Sequence, residues 1–199
     1  MNIDDLIKVN SLWTKLYPYL AAQIMEGYQR GSGSVLELGP FSGGISLELA
    51  RLYPGLNITI ADELPEMVEY LEERISASGL AQGIAVKKTD LNRLTFDGSQ
   101  FDLVIFRGAF FFLNKKGNLL QEIFRVLKKG GMAFVGGGYG KGVPQEITDE
   151  IASESRRLNK RLGRRWVSIK ELEGLVRKSK LTDNCKIEEE GGVWLVIKK

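Results

Sequence analysis

A glycine-rich turn and two acids are where this sequence can do chemistry. Residues 35–50, VLELGPFSGGISLELA, read as a buried strand, a turn and the start of a helix with an apolar face. Gly39, Gly43 and Gly44 bracket the turn. A strand that feeds a helix through such a turn presents backbone N–H groups at the helix N-terminus, which suits an anionic or hydrogen-bond-accepting ligand. Glu37, at the end of the strand, narrows the choice, because its carboxylate would repel a pyrophosphate and attract an ammonium group. The order Gly39-Pro40-Phe41-Ser42-Gly43-Gly44 also puts Phe41 where a dinucleotide turn, G-x-G-x-x-G, needs its middle glycine. The second acid is Asp62, followed by Glu63. It ends the apolar run LNITIA at 56–61, about 20 residues beyond the turn, from where a carboxylate can accept hydrogen bonds from ribose hydroxyls. The plainer alternative is a solvated acid favoured by the dipole of the helix that begins at Pro65.

Composition removes much else. The 199 residues suffice for one domain with a sizeable core, and a hydrophobic content of 43% with 27% charged residues is that of an ordinary globular chain. The net charge of +3 is too small to argue for nucleic acid by itself. The single cysteine, Cys185, excludes an internal disulfide and a cysteine-rich metal site, and the absence of histidine removes the usual general base and the commonest metal ligand. Most hydrolases and zinc enzymes are disfavoured. The N-terminus carries Asp4 and Asp5 rather than a signal sequence, and no apolar run approaches the roughly 20 residues that span a membrane, so a cytoplasmic setting is expected.

The elements that must position these groups follow from periodicity. Residues 3–29 repeat apolar side chains at helical spacing, and Pro18 divides them into two helices. They either cover the sheet or form a lid over the ligand. Strands are expected at 35–38, 56–61, 83–87, 101–106 and 132–135, with helices between them. FDLVIF at 101–106 is the near-continuous apolar run of a central parallel strand. Lys128-Lys129-Gly130-Gly131 reads as a helix stop. The alternation implies a parallel, doubly wound sheet with right-handed crossovers. The glycine-rich stretch 136–142 is expected as a hinge or substrate-gating loop on the ligand side. A helix spans 145–162, and Ser168-Ile169-Lys170-Glu171 is a capping box that opens another. Residues 186–190 and 193–198 form a hairpin across Gly191-Gly192, with Cys185 structural.

The chain resembles the class I S-adenosylmethionine-dependent methyltransferases. Their first motif, E-x-G-x-G-x-G, is matched by Glu37, Gly39 and Gly43 and departed from at Phe41. Their second, D-x-S-x-x-M, is matched by Asp62 and Met67, with Leu64 in place of serine; Asp102 and the L-K-x-G-G segment at 127–131 match the later ones. The matches span roughly residues 34–136. The resemblance implies a Rossmann-like, mostly parallel seven-stranded α/β sheet with an antiparallel C-terminal hairpin and helices on both faces. It divides the chain into an N-terminal helical lid (1–30), a cofactor-binding core (34–136), a helical, basic segment (143–180) and the closing hairpin (184–199). It implies S-adenosylmethionine as cofactor, held by Glu37, Gly39, Pro40, Phe41, Gly43, Asp62, Glu63, Asp90, Leu91 and Arg107. In that scheme Asp90 accepts from the adenine amino group and the Leu91 N–H faces a ring nitrogen; a turn Asp bonded to its own backbone is the alternative for Asp90.

Arg107 leaves the carboxyl end of the fourth strand, where open α/β sheets bind ligands. It has three readings: an ion pair with Glu37 or Asp62, a hold on the cofactor carboxylate, or a grip on an anionic substrate. One ring of Phe110, Phe111 and Phe112 is expected in the pocket; Phe110, Phe111 and Tyr139 are the substrate-side candidates beside Arg107. No residue stands out as catalytic: Tyr139, Glu63 or a lid carboxylate are the groups left to act as base. Methyl transfer is compatible with a histidine-free chain, because the sulfonium methyl is already activated and positioning supplies most of the catalysis. Arg-Gly-Ala-Phe replaces the [DN]-P-P-[FYW] of nucleic-acid amine methyltransferases, and Cys185 is in the wrong element for pyrimidine C5 chemistry. The expected acceptor is a small molecule, for which Arg107 and the basic run 156–165 point to an anionic group. The alternatives are a non-catalytic S-adenosylmethionine-binding protein and an RNA-directed methyltransferase using 156–165, with nucleic acid the less favoured partner.

Overall fold

Strand and helix alternate over residues 32–88 and again over 101–161, with no helix in the connection between 88 and 101, and this pattern determines the topology. The computed structural model describes residues 2–113, 118–164 and 167–199. In chain order the elements are α1 (Ile3–Leu12), α2 (Tyr17–Tyr28), β1 (Ser32–Leu38), α3 (Gly44–Leu52), β2 (Gly55–Asp62), α4 (Pro65–Ala77), β3 (Ile84–Lys88), β4 (Phe101–Arg107), α5 (Asn118–Val126), β5 (Leu127–Gly137), α6 (Gln145–Arg161), α7 (Ile169–Lys178), β6 (Cys185–Glu188) and β7 (Val193–Lys198). The strands form one seven-stranded sheet in the order β3-β2-β1-β4-β5-β7-β6. Strands β1 to β5 pair in parallel, and β7 pairs antiparallel with both β5 and β6. This is the expected doubly wound sheet closed by a C-terminal hairpin. The strand order reverses between β1 and β4, so the crevice outside their carboxyl ends is where a ligand belongs.

Side-chain alternation along the central strands feeds two cores. Val35, Leu103, Ile105 and Phe134 point to one face, where α1, α2, α3, α4 and α6 cover them. Leu36, Leu38, Val104, Phe106 and Val135 point to the other, covered by α5, α7 and the loop 91–96. Each fully buried aliphatic or aromatic side chain contributes roughly 1.5–3 kcal/mol, far more than helix propensity. Pro18 lies in the first turn of α2, where its missing N–H costs nothing, so the chain breaks into two helices just before it. The capping box opens α7, with Ser168 and Glu171 each bonded to the other's backbone N–H.

Two expectations are corrected. Residues 128–131 do not stop a helix. α5 ends at Val126 and β5 has begun at Leu127, which pairs with Phe101 ahead of a register shift. Gly130 N–H then bonds Lys199 O, and Lys199 N–H bonds Gly131 O, so these glycines serve strand pairing. Within 136–142, in place of the expected hinge or gating loop, Gly136, Gly138 and Gly140 serve close backbone packing, whereas Gly142 stands in open space. Gly140 N–H bonds Gly191 O at 2.8 Å, and Cβ atoms at Gly136 and Gly138 would overlap the backbone of Val193 and of Gly191–Gly192. Gly136 also has φ +154°. Gly136→Ala is therefore expected to lower stability by about 2 kcal/mol or more in denaturant unfolding, through strain and overlap with backbone that cannot swing aside.

Candidate active site

Glu37, the penultimate residue of β1, has its side chain completely buried. Its Oε2 accepts hydrogen bonds from Gly43 N–H at 2.9 Å and Ser46 N–H at 3.1 Å, in the first turn of α3. The expected anion cradle at this helix N-terminus is therefore taken by the chain's own carboxylate, as the dipole favours. Burial raises the Glu37 carboxyl above its ordinary range, opposed by those N–H groups and by the Arg107 charge. Its other oxygen, Oε1, is buried without a partner.

Gly39 N–H bonds Ala61 O at 2.9 Å and joins the turn to the end of β2. Asp62 comes next. It is fully buried, and its Oδ1 accepts from Leu64 N–H at 2.8 Å while Oδ2 has no partner. Burial lifts its pKa to about 6 despite the Leu64 bond, with the neighbouring Glu63 charge adding to the rise. Thr89 N–H bonds Asp62 O at 2.9 Å, so Asp90 follows directly beyond the second acid. Asp90 is exposed and closes a turn onto Asn92 N–H at 2.7 Å, whereas the Leu91 side chain is buried in the second core.

Phe41 needs no glycine backbone, since it is not among the residues of positive φ. Its ring lies over Gly108, which has φ +73° and whose Cβ would overlap it, and stands 5.0 Å from the Phe111 ring. Gly44 is similarly required because the Tyr17 ring lies across it. Several turn glycines therefore make room for the protein's own rings.

Arg107 pairs with neither Glu37 nor Asp62. It is 3% exposed, and its Nε and Nη2 donate to Phe41 O at 3.1 and 2.5 Å. Nη2 also donates to Asn10 Oδ1 at 2.7 Å and to Tyr17 OH at 3.3 Å. The guanidinium carbon lies 4.7 Å from the Trp13 ring centroid and 5.4 Å from those of Tyr17 and Phe41. Asn10 donates in turn to Pro40 O at 2.9 Å. The N-terminal helices thus hold the outer carbonyls of the turn.

Beside this cluster lies a cavity of about 490 Å³, within the size range of small-molecule sites. Arg107, Phe110, Phe111 and Tyr139 all line it, as does Phe41; Glu37, Asp62, Glu63, Asp90 and Leu91 do not. Two of the three consecutive phenylalanines face it, and the third, Phe112, packs on Phe106 at 5.5 Å. Trp13, Thr148, Asn159 and Glu190 line it too and escaped the sequence reading. A signal existed for Asn159, a buried polar residue on the apolar line of α6, one turn after Ser155; Ser155 accepts from Asn159 Nδ2 and from Trp13 Nε1. The basic run divides: Arg157 pairs with Glu154, Arg161 with Asp5, and Arg164 lines the cavity, while Arg165 lies outside the described residues. The Cys185 thiol, pushed up to about 11 by burial, is no nucleophile near neutral pH. Among the described residues no cluster of three metal-ligating side chains exists and no helix is long and apolar enough to cross a membrane.

Because its folded pKa of about 6 lies above the unfolded value, ionised Asp62 opposes folding above pH 6, and the penalty vanishes below about pH 4. Asp62→Asn, which keeps an acceptor for Leu64 N–H, is expected to raise unliganded stability at pH 8 by up to about 3 kcal/mol, an advantage that fades near pH 4 in urea titrations. Asn10→Ala strands Pro40 O and part of Arg107, and is expected to cost about 1–3 kcal/mol in the same measurement.

Residues 35–131 match the family model of a methyltransferase domain. The chain is 33% identical over 101 residues to the ubiquinone/menaquinone biosynthesis C-methyltransferase UbiE of Desulfotalea psychrophila, covering 51% of this chain and 39% of that protein. It is 26% identical to the malonyl-[acyl-carrier protein] O-methyltransferase of Bacillus cereus, across 87% of this chain and 61% of the relative. The chain thus spans less than two thirds of the length of these curated relatives. Among solved structures, a candidate S-adenosyl-L-methionine-dependent methyltransferase of Methanococcus maripaludis shares the fold with a TM-score of 0.85 at 24% identity, covering 100% of this chain and 94% of that one. A SAM-dependent methyltransferase of Aquifex aeolicus does so at 0.69 and 18%, covering 99% of each chain. Through residues 35–131, which carry the glycine turn, the buried acids and the central strands, the chain matches the methyltransferase-domain family and is similar to the class I S-adenosylmethionine-dependent methyltransferases.

Proposed function

We propose that this protein transfers a methyl group from S-adenosylmethionine to a small, anionic acceptor seated in the cavity beside Arg107. The observation that carries the cofactor half is the buried, unpartnered Oδ2 of Asp62 at the carboxyl end of β2. Two ribose hydroxyls are the donors such an oxygen lacks. The second orphan, Glu37 Oε1, lies under the turn and favours an ammonium group over a phosphate. The residues present therefore fit an adenosyl amino acid.

When bound, S-adenosylmethionine supplies a methyl on a positively charged sulfur that an acceptor lone pair can take in one step. The chain's part is to bind, orient and exclude water. Asp62 holds the ribose, with Glu63 beside it. Asp90 and the Leu91 backbone receive the adenine, and Gly39, Pro40, Phe41 and Gly43 shape the floor. Phe41, Phe111, Trp13 and Tyr139 wall the cavity and keep the reacting end dry. Tyr139 is the one of the three candidate bases that faces this cavity. The cavity's cations favour a negatively charged acceptor. Lys141 is already paired with Glu26 and Glu190, whereas Arg107 and Arg164 make no ion pair among the described residues.

Calorimetry with S-adenosylhomocysteine tests the reading. Micromolar binding at pH 8 is expected, at least tenfold weaker in Asp62→Ala. Because the ribose bonds need the ionised carboxylate, affinity should fall as pH drops through about 6 in wild type and stay flat over that range in Asp62→Asn. Absence of binding by wild type would overturn the proposal.

A further inference from the structure

Arg107 is a buried cation with one end uncommitted. Its Nε and Nη2 are consumed by Phe41 O, Asn10 Oδ1 and Tyr17 OH. Nη1 makes no hydrogen bond among the described residues and, unlike the buried unpartnered oxygens of Glu37 and Asp62, keeps accessible surface. Arg107 lines the cavity, and Nη1 is the end of its guanidinium left to face it. No carboxylate of a described residue forms an ion pair with it, and aromatic faces surround the charge. The buried Glu37 carboxyl feels this charge without touching it, and an anion delivered by a ligand adds the direct pairing that a desolvated guanidinium lacks.

The surroundings specify the anion. The free donors on this cation are the two N–H groups of one nitrogen, which suit a carboxylate oxygen. The Trp13 and Phe41 rings lie against the guanidinium, and Phe110 and Phe111 add further apolar, flat surface to the cavity wall. The polar lining lies on other segments: Thr148 and Asn159 on α6, the Lys141–Glu190 ion pair, and Arg164. We infer that Arg107 Nη1 is the receptor for the carboxylate of a planar, apolar acid, and that the methyl acceptor belongs to this class. The inference rests on the acceptor half of the proposed function. It makes Arg107 a specificity determinant that simultaneously holds the glycine turn through Phe41 O, while Arg164 at the exposed rim has a lesser role.

The test uses benzoate and its neutral isostere benzamide, titrated calorimetrically into the full chain with and without S-adenosylhomocysteine. Benzoate is expected to bind with a millimolar or tighter Kd and benzamide at least tenfold more weakly. Arg107→Lys, which keeps the charge but loses the guanidinium fork, should narrow that preference to about twofold or less. Phe110→Ala leaves Arg107 untouched and should weaken benzoate at least threefold, which locates the site even if the Arg107 variant does not fold. Equal affinity for the two probes, or binding of neither, overturns the inference; if S-adenosylhomocysteine still binds, the methyltransferase reading stands without it. Loss of S-adenosylhomocysteine binding in Arg107→Lys with benzoate unchanged also overturns it, because the carboxylate served is then the cofactor's. If wild type binds benzoate selectively but not S-adenosylhomocysteine, the anion site stands and the cofactor reading fails.

Discussion

The site depends on a cation placed where charge is expensive. Arg107 leaves the central strand β4 at the point where the strand order reverses, and its guanidinium is almost wholly removed from water. A carboxylate beside it would be the ordinary solution. This chain instead surrounds it with three aromatic faces, a main-chain carbonyl, an amide oxygen and a phenol. These partners come from three places: Asn10 and Trp13 from α1 and its C-cap, Tyr17 from the start of α2, and Phe41 from the turn. The cation therefore acts as a joint. The N-terminal helices cannot leave without stripping its partners, and the turn cannot move without losing its bond to Phe41 O.

That joint explains a feature that would otherwise be awkward, the phenylalanine at the family's second glycine. The backbone at Phe41 has an ordinary φ, and the ring has Gly108 beneath it. The side chain moves from the turn to the cavity wall, and the carbonyl is free to hold Arg107. Gly108 matters for the same reason that Gly44 does, since both yield space to a ring. Beneath the turn Glu37 does the opposite work, closing the α3 N-terminus with a carboxylate that leaves one oxygen unsatisfied. The structure thus combines two orphan acid oxygens, on Glu37 and Asp62, with a guanidinium whose Nη1 is uncommitted, and the proposed function assigns the first to the cofactor and the second to the acceptor. This polarity suits a ligand pair in which one member carries an ammonium group and a diol and the other an anion.

Much of the architecture was legible in the residues. Apolar runs at 35–38, 56–61 and 101–106 are too short and too continuous for surface helices, and the amphipathic stretches between them force crossovers, so a doubly wound sheet is almost the only economical arrangement. The order of Glu37, Gly39, Gly43, Asp62 and Asp102 along the chain was sufficient to reach the family. Local rules erred where two elements compete for the same residues. Lys128-Lys129-Gly130-Gly131 has the chemistry of a helix stop, but β5 continues through it because its pairing with β4 and the C-terminus offers those backbone groups partners.

By itself the sequence determined the sheet, the helix breaks at Pro18 and Ser168, the glycine turn and the acids at the strand ends, because these follow from periodicity, backbone stereochemistry and motif spacing. Only the tertiary structure decided who meets Arg107. The joint unites residues 10, 13, 17, 41 and 107, and the cavity adds Thr148, Asn159 and Glu190 from segments distant in the chain. No periodicity records such meetings. They arise because the helices before β1 must cover the same sheet face as α3 and α6, and that packing brings an asparagine, a tryptophan and a tyrosine over the end of β4.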